Sequence, residues 1–275
     1  MKQVYNFNAG PATLPLEVML QIQDEVLDLQ GTSLSILEIS HRSREYENIN
    51  GETQQLLKDL LNIPTDYEVL FLQGGASTQF AMVPMNFLVE GRKASYFHSG
   101  TWSEKAIAEA RKFGETVIAG SSEDDYFKKV PNLSGVKIDP ETAYIHLTSN
   151  ETILGTQYQN FINTGEVPLI NGGVKAIEKR NHQKADLIYS TIDKSGGFYN
   201  GLVHLESRSK MNVTFSIFNE EIKKLFLQEA EKSGFIGVKG HQDAGHLRVS
   251  IYNAVTYEQC QALTDLMIDF QKRFG

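Results

Sequence analysis

The stretch that most constrains the fold runs Glu68-Val69-Leu70-Phe71-Leu72-Gln73-Gly74-Gly75-Ala76-Ser77-Thr78-Gln79-Phe80. Residues 68–72 are a short, mainly apolar run, which predicts a buried strand. Phe80, Val83, Met85 and Phe87 fall in a longer apolar segment, which predicts a helix over 77–89. Two glycines and two hydroxyl residues join the two. Glycine lets the backbone approach a ligand closely and take up strained angles. A helix N-terminus presents unpaired N–H groups and a partial positive charge. Together they suit an anion, most often a phosphate. The structural alternative is an ordinary βα turn with Ser77 or Thr78 as N-cap. The spacing matches neither the P-loop, which ends in Lys-Ser/Thr, nor the dinucleotide pattern Gly-x-Gly-x-x-Gly.

The same unit recurs along the chain. Strands are predicted at 94–97, 116–119 and 143–147, with a helix at 103–113 capped by Ser103. Strands separated by helix-length segments predict an α/β fold with a mainly parallel sheet. Ligands in such sheets sit beyond the carboxyl ends of the strands. Three polar turns follow strands there, at 74–78, 99–103 and 148–152, and the only tryptophan, Trp102, lies in the second. Upstream, a helix is predicted from Pro15 to Leu29, with apolar residues roughly at helical period. A loop bearing His41, Arg42 and Arg44 leads into another helix ending near Asn62. Guanidinium groups in a loop can clamp a phosphate or carboxylate; the alternative is a solvated helix start.

After Ile170 the pattern changes. Helices are predicted at 174–192, 220–232 and 257–270, with strands at 212–217 and 247–251, the last carrying Arg248. This predicts a small α+β domain. The division expected is a large α/β domain over 16–170, and a small domain from 1–15 and 171–275.

A net charge of −8 disfavours a nucleic-acid partner, which needs a basic surface. The first eight residues read as too polar for a signal peptide, and no apolar run reaches membrane-spanning length. The single cysteine, Cys260, excludes an internal disulfide and a Cys-based zinc cluster. The histidines lack metal-ligand spacing, so no metal site is expected and His98, His146 and His204 read as structural. A cytoplasmic location is expected.

Several stretches carry a resemblance. They are Tyr5-Asn6-Phe7-Asn8-Ala9-Gly10-Pro11-Ala12, Ser40-His41-Arg42-Ser43, the Gly74–Thr78 turn with its flanks, and Gly100-Thr101-Trp102-Ser103. Thr148-Ser149-Asn150-Glu151-Thr152-Ile153-Leu154-Gly155-Thr156 and Ser250-Ile251-Tyr252-Asn253-Ala254 complete them. In this order they resemble the phosphoserine aminotransferases, pyridoxal-phosphate enzymes of the aspartate aminotransferase-like fold (fold type I). The resemblance implies that Ala76 and Ser77 bind the cofactor phosphate, Trp102 stacks on its ring and Thr152 bonds its phenolic oxygen. It implies that Arg248 holds a substrate α-carboxylate, and that His41, Arg42 and His241 take the substrate phosphate or the glutamate carboxylate. The implied reaction is glutamate plus 3-phosphohydroxypyruvate giving 2-oxoglutarate plus O-phosphoserine, in serine and in some members pyridoxine biosynthesis. A homodimer is implied, with active sites at the subunit interface.

The chain departs from the family after Ile170. There the family runs into an aspartate that pairs with the pyridinium nitrogen, and further on into a Gln-Lys-Asn turn whose lysine forms the Schiff base. Here Ile170 passes directly to Asn171-Gly172-Gly173-Val174-Lys175, which resembles a much later family segment, and no Gln-Lys-Asn occurs anywhere. Lys175 and Lys194 match non-catalytic parts. Gln242 also stands where the family usually has an arginine. The expectation is therefore a family member with an internal block missing, no catalytic lysine and weak, non-covalent cofactor binding. The alternatives are a non-catalytic partner of an intact subunit and an incomplete version of an active enzyme. Losing sheet strands is expected to end the sheet abruptly at the strand around Ile145, and to expose Tyr144, Ile145 and Leu147.

Overall fold

The computed structural model describes residues 4–162, 169–170, 178–241 and 244–275. Lys175 and Gln242, together with the Ile170–Asn171 junction beyond Ile170, lie outside them. Two compact units emerge. One comprises Met1–Thr13, Gly74–Gly173 and Glu178–Gly275; the other is centred on Leu14–Gln73.

The second unit holds helix α1 (Leu16–Glu25) and helix α2 (Arg44–Leu61). Ser43 caps α2 by accepting from the Tyr46 N–H at 3.2 Å, and Asn62 ends it in the left-handed conformation. Residues 68–72 do not form the expected strand. They lie along α2, held by Gln54 Nε2 donating to the Val69 carbonyl at 3.2 Å and by a Lys58–Glu68 ion pair. Leu70, Phe71 and Leu72 are 70%, 54% and 54% exposed. A strand needs a neighbour to pair its backbone groups, and among the described residues none flanks this run. The apolar side chains of α1 are likewise exposed, and Leu29 is the only fully buried residue of 14–73.

The first unit opens with β1 (Tyr5–Asn6). It continues through helix α3 (Ala76–Phe87), β2 (Lys93–His98), α4 (Thr101–Ala110), β3 (Glu115–Ser121) and β4 (Thr142–Leu147). Short strands β5 (Asn150–Glu151), β6 (Thr156–Gln157) and β7 (Leu169–Ile170) follow. The four-stranded sheet has the order β3-β2-β4-β7, all parallel. Tyr144, Ile145 and Leu147 are buried, contrary to expectation. One side of the sheet is packed by Phe80, Val83 and Ala106 of α3 and α4, the other by Val130, Leu133 and Ile138. The sheet also runs one strand past Ile145: Ile145 and His146 pair with Leu169 and Ile170.

The C-terminal part contains helix α5 (Glu178–Asp193), β8 (Tyr199–Gly201), β9 (Asn212–Ile217), α6 (Glu220–Lys232), β10 (Phe235–Ile236), β11 (Leu247–Ser250) and α7 (Tyr257–Phe274). Antiparallel β11-β9-β8 carries the largest core, with α5, α6 and α7 packed on it. β1 joins this region by pairing with β10.

A buried lysine fixes the chain beyond β11. Lys184 of α5 donates to the carbonyls of Ile251, Tyr252 and Val255 at 2.8, 2.8 and 2.9 Å. All three ammonium protons are satisfied, while burial lowers the pKa. Lys184→Met leaves those carbonyls short of a donor. It is expected to destabilise the chain by roughly 2–4 kcal/mol, read from the midpoint of a urea melt.

Candidate functional site

Strands β2 and β4 lie side by side, and the turns leaving their carboxyl ends form the walls of a cavity of about 570 Å³. Tyr96 and His146 come from the strands, Trp102 and Ala106 from α4, and Ala76, Gln79, Phe80 and Val83 from α3. The turn after β4 contributes Thr148, Ser149, Asn150 and Thr152. The lining is mostly apolar and aromatic, with hydroxyl and amide groups at one side, as in small-molecule sites.

Glycines shape two of the entries. The turn before α3 places Gly74 at φ +87°, where a Cβ would stand 2.6 Å from Thr78 Oγ1. Gly75 caps α3, in place of Ser77 or Thr78, and makes no side-chain bond, so the first-turn N–H groups beside Ala76 have no side-chain acceptor there. Gly100, at φ +144°, caps α4; a Cβ there would stand 2.8 Å from Leu154 Cδ1 and 3.0 Å from the Glu151 side chain. Ser103 is not the cap. Its hydroxyl accepts from the N–H groups of Ser99 and Gly100 at 2.9 and 3.0 Å, and so closes the turn.

Trp102 Nε1 donates to Thr152 Oγ1 at 2.8 Å, which ties the two turns across the cavity wall. The Lys105 ammonium stands 4.6 Å from the indole centroid. Behind Thr152, Arg248 of β11 is buried and donates from Nη1 to the Thr152 carbonyl at 3.0 Å. Glu151 is fully buried and accepts from the N–H groups of Trp102 and Ile153 at 2.9 and 3.2 Å. Burial pushes its carboxyl up to about 7. His146 stacks on Tyr96 with ring centroids 5.0 Å apart, and burial pushes its imidazole down to about 4. Its Nδ1 has no hydrogen-bond partner among the described residues.

Of the residues singled out from the sequence, Ala76, Trp102 and Thr152 line the cavity, and Arg248 reaches its rear wall through Thr152. Ser77 follows Ala76 in the first turn of α3 and is exposed. His241 lies in the loop before β11, half-buried. His41 and Arg42 are exposed in the turn before α2, in the other compact unit. Sequence reasoning missed Glu151, Tyr96 and the cavity position of His146. The signals for them were weak: a lone acid inside a polar turn, and alternate residues of strands read only as core. No group of three or more His, Cys, Asp or Glu side chains among the described residues could hold a metal.

The aminotransferase class-V family matches residues 4–168 and 166–263. The phosphoserine aminotransferase of Niallia circulans is 39% identical over 360 positions, covering 100% of this chain and 99% of its own length. That of Bacillus subtilis (strain 168) is 38% identical over 360 positions. The chain belongs to the phosphoserine aminotransferase family. The solved phosphoserine aminotransferase from Bacillus circulans subsp. alkalophilus superposes with a TM-score of 0.94 at 40% identity, over 99% of each chain. A second, solved in a study of radiation damage to its Schiff base, gives 0.96 at 38% identity. The fold is that of the type I pyridoxal-phosphate enzymes, and by family the chain is a pyridoxal-phosphate-dependent transaminase.

The alignment also measures the departure. It spans 360 positions against the 275 residues of this chain, so about 85 positions of the Niallia circulans protein have no counterpart here. The class-V match breaks at 166–168, beside Ile170, where the sequence leaves the family pattern.

The cavity fits this family's cofactor in part. A flat ring finds aromatic walls, the Thr152 hydroxyl and an anion-accepting helix start at Ala76. No lysine and no carboxylate is among its described lining residues, so nothing there forms a covalent link to an aldehyde or pairs with a ring N–H.

The depressed imidazole gives a pH signature. Because the folded-state value of His146 lies near 4, against 6.5 ordinarily, its contribution to stability is complete above pH 6.5 and is lost as pH falls towards 4. The full effect is roughly 3 kcal/mol at most. In paired urea melts at neutral and acidic pH, His146→Gln is expected to lose less stability on acidification than the parent chain.

Proposed function

We propose that this chain keeps the seat for the ring and phosphate of pyridoxal phosphate and has lost the transamination step. The observation that carries this is the cavity wall. It is built from Trp102, Thr152 and the start of α3 but has no lysine among its described residues. The sequence supports it, since no Gln-Lys-Asn occurs and about 85 family positions are absent. When bound, pyridoxal phosphate supplies an electron-accepting ring for amino-group transfer. Here Ala76 and Ser77 hold its phosphate at the N-terminus of α3, Trp102 covers the ring and Thr152 bonds the phenolic oxygen. A lysine that carries the cofactor also moves the substrate proton. Loss of a general acid–base alone costs roughly 10²–10⁴-fold in rate.

The family reaction converts glutamate and 3-phosphohydroxypyruvate into 2-oxoglutarate and O-phosphoserine, and the substrate anions fall to Arg248, His241, His41 and Arg42. Arg248 is buried with its Nε unpartnered among the described residues, which suits an arriving carboxylate. In this reading the large domain spans 16–170 and the small one 1–15 with 171–275. By descent the chain belongs with serine biosynthesis and, through the same family, with pyridoxine biosynthesis, and this reading places it in the cytoplasm.

A second reading is favoured by the bare apolar surface of residues 14–72: a non-catalytic subunit that pairs with an intact family member or with itself. Large apolar patches promote association, and Leu70, Phe71 and Leu72 are exposed on this surface.

Each reading has its own test. After incubation with pyridoxal phosphate and borohydride reduction, the intact mass is expected to stay that of the unmodified chain, and glutamate with 3-phosphohydroxypyruvate to give no turnover above background. A reduced cofactor–lysine adduct, with turnover abolished by replacing that lysine, refutes the first reading. Size-exclusion chromatography with light scattering is expected to show self-association; a monodisperse monomer with a sharp thermal melt refutes the second.

A further inference from the structure

Among the described residues, Glu151 is the only carboxylate that is fully buried. It sits on the short antiparallel pair β5–β6, whose loop closes with Gly155 N–H donating to the Glu151 carbonyl at 2.8 Å. One side-chain oxygen accepts from Trp102 N–H, at 2.9 Å, and the other from Ile153 N–H, at 3.2 Å. The Trp102 N–H belongs to the first turn of α4, where the helix itself provides no acceptor. Ile153 follows Thr152. A single carboxylate thus holds the main chain on both sides of the Trp102–Thr152 contact, and the absence of a side chain at Gly100 leaves room for it. Three other charged or titratable groups face this region: Lys105 of α4, Arg248 of β11, and His246, whose Nε2 lies 3.0 Å from the Ile153 carbonyl.

We propose that Glu151 is the positioning residue that keeps the Trp102 ring and the Thr152 hydroxyl in register across the cavity, and that this clasp loosens when the carboxylate takes up a proton. An ionised carboxylate offers acceptors to both N–H groups. Protonation turns one oxygen into a hydroxyl, and the N–H facing it loses its strong, charge-assisted bond. Burial raises the Glu151 carboxyl to about 7, against the pull of the two N–H bonds and of Lys105 and Arg248, which brings the change into the neutral range. Because the folded-state value is raised, this group's contribution to stability falls as pH rises from 4.5 through 7. The ionised clasp is therefore the ordered but costlier state. The clasp stands whether or not the chain turns over substrate.

Trp102 is the only tryptophan, so emission excited selectively at the indole, beyond tyrosine absorption, reports this site. In the full-length chain, a titration from about pH 5 to 9 is expected to show one step in emission, with a midpoint near 7. Glu151→Gln is expected to abolish the step and to give at every pH the emission of the acidic parent, because the amide offers one acceptor oxygen and turns an NH2 donor towards the other N–H. His246→Gln, which keeps a polar partner for the Ile153 carbonyl, is expected to retain it. No step in the parent, or a step that survives in Glu151→Gln, overturns the proposal. If Glu151→Gln lacks a cooperative melt, carbon-13 carboxyl NMR of the parent decides. One glutamate titrating near 7 supports the proposal, and all glutamates titrating near the ordinary value of about 4.3 overturn it.

Discussion

The pairing of β2 with β4 underlies everything the site does. All six residues of β4 are buried, and β2 meets it in parallel from Lys93 to Phe97. Parallel pairing sends both carboxyl ends to the same edge, and the turns that follow must leave there together. That is why Trp102 and Thr152, fifty residues apart, meet in a 2.8 Å bond. It is also why Tyr96 and His146 stack beneath them. Burial on both faces makes slippage of this ladder costly, because every side chain would change faces.

The absent positions act on the site and on the sheet differently. On the ladder, β7 supplies two paired residues beyond β4, and the packing from α3, α4 and residues 130–138 keeps Tyr144, Ile145 and Leu147 dry. The exposed apolar run is instead residues 68–72, which carry strand-forming side chains with no strand to pair with among the described residues. In the cavity, the aromatic and hydroxyl groups suited to a flat anionic ring come from the retained turns, whereas no lysine and no carboxylate is among the described lining residues.

The sequence showed the periodic elements well. Strands at 93–98, 115–121 and 142–147 and helices at 220–232 and 257–274 lie where alternation and helical period placed them. Local signals failed where a partner decides the outcome. Val69-Leu70-Phe71-Leu72 has the composition of a buried strand, yet burial and ladder bonds come from neighbours and not from the run itself. Helix α1 has its apolar residues at helical period, and the structure leaves them exposed. Caps misled at short range: Gly75 and Gly100 begin α3 and α4, where hydroxyl residues two or three places on (Ser77, Thr78 and Ser103) were the stronger local candidates.

By itself the sequence determined the βα order, the three polar turns, the family, and the absence of the lysine-bearing segment, because each of these is written in residue types and their spacing. Only the tertiary structure decided that Glu151 is a buried clasp, that His146 is held neutral against Tyr96, and that the exposed apolar run is 68–72 while 142–147 is buried. The physical reason is desolvation and pairing. A carboxylate in a polar turn, an imidazole in a strand and a run of apolar residues take their character from what excludes water around them, and that is set by segments distant in the chain.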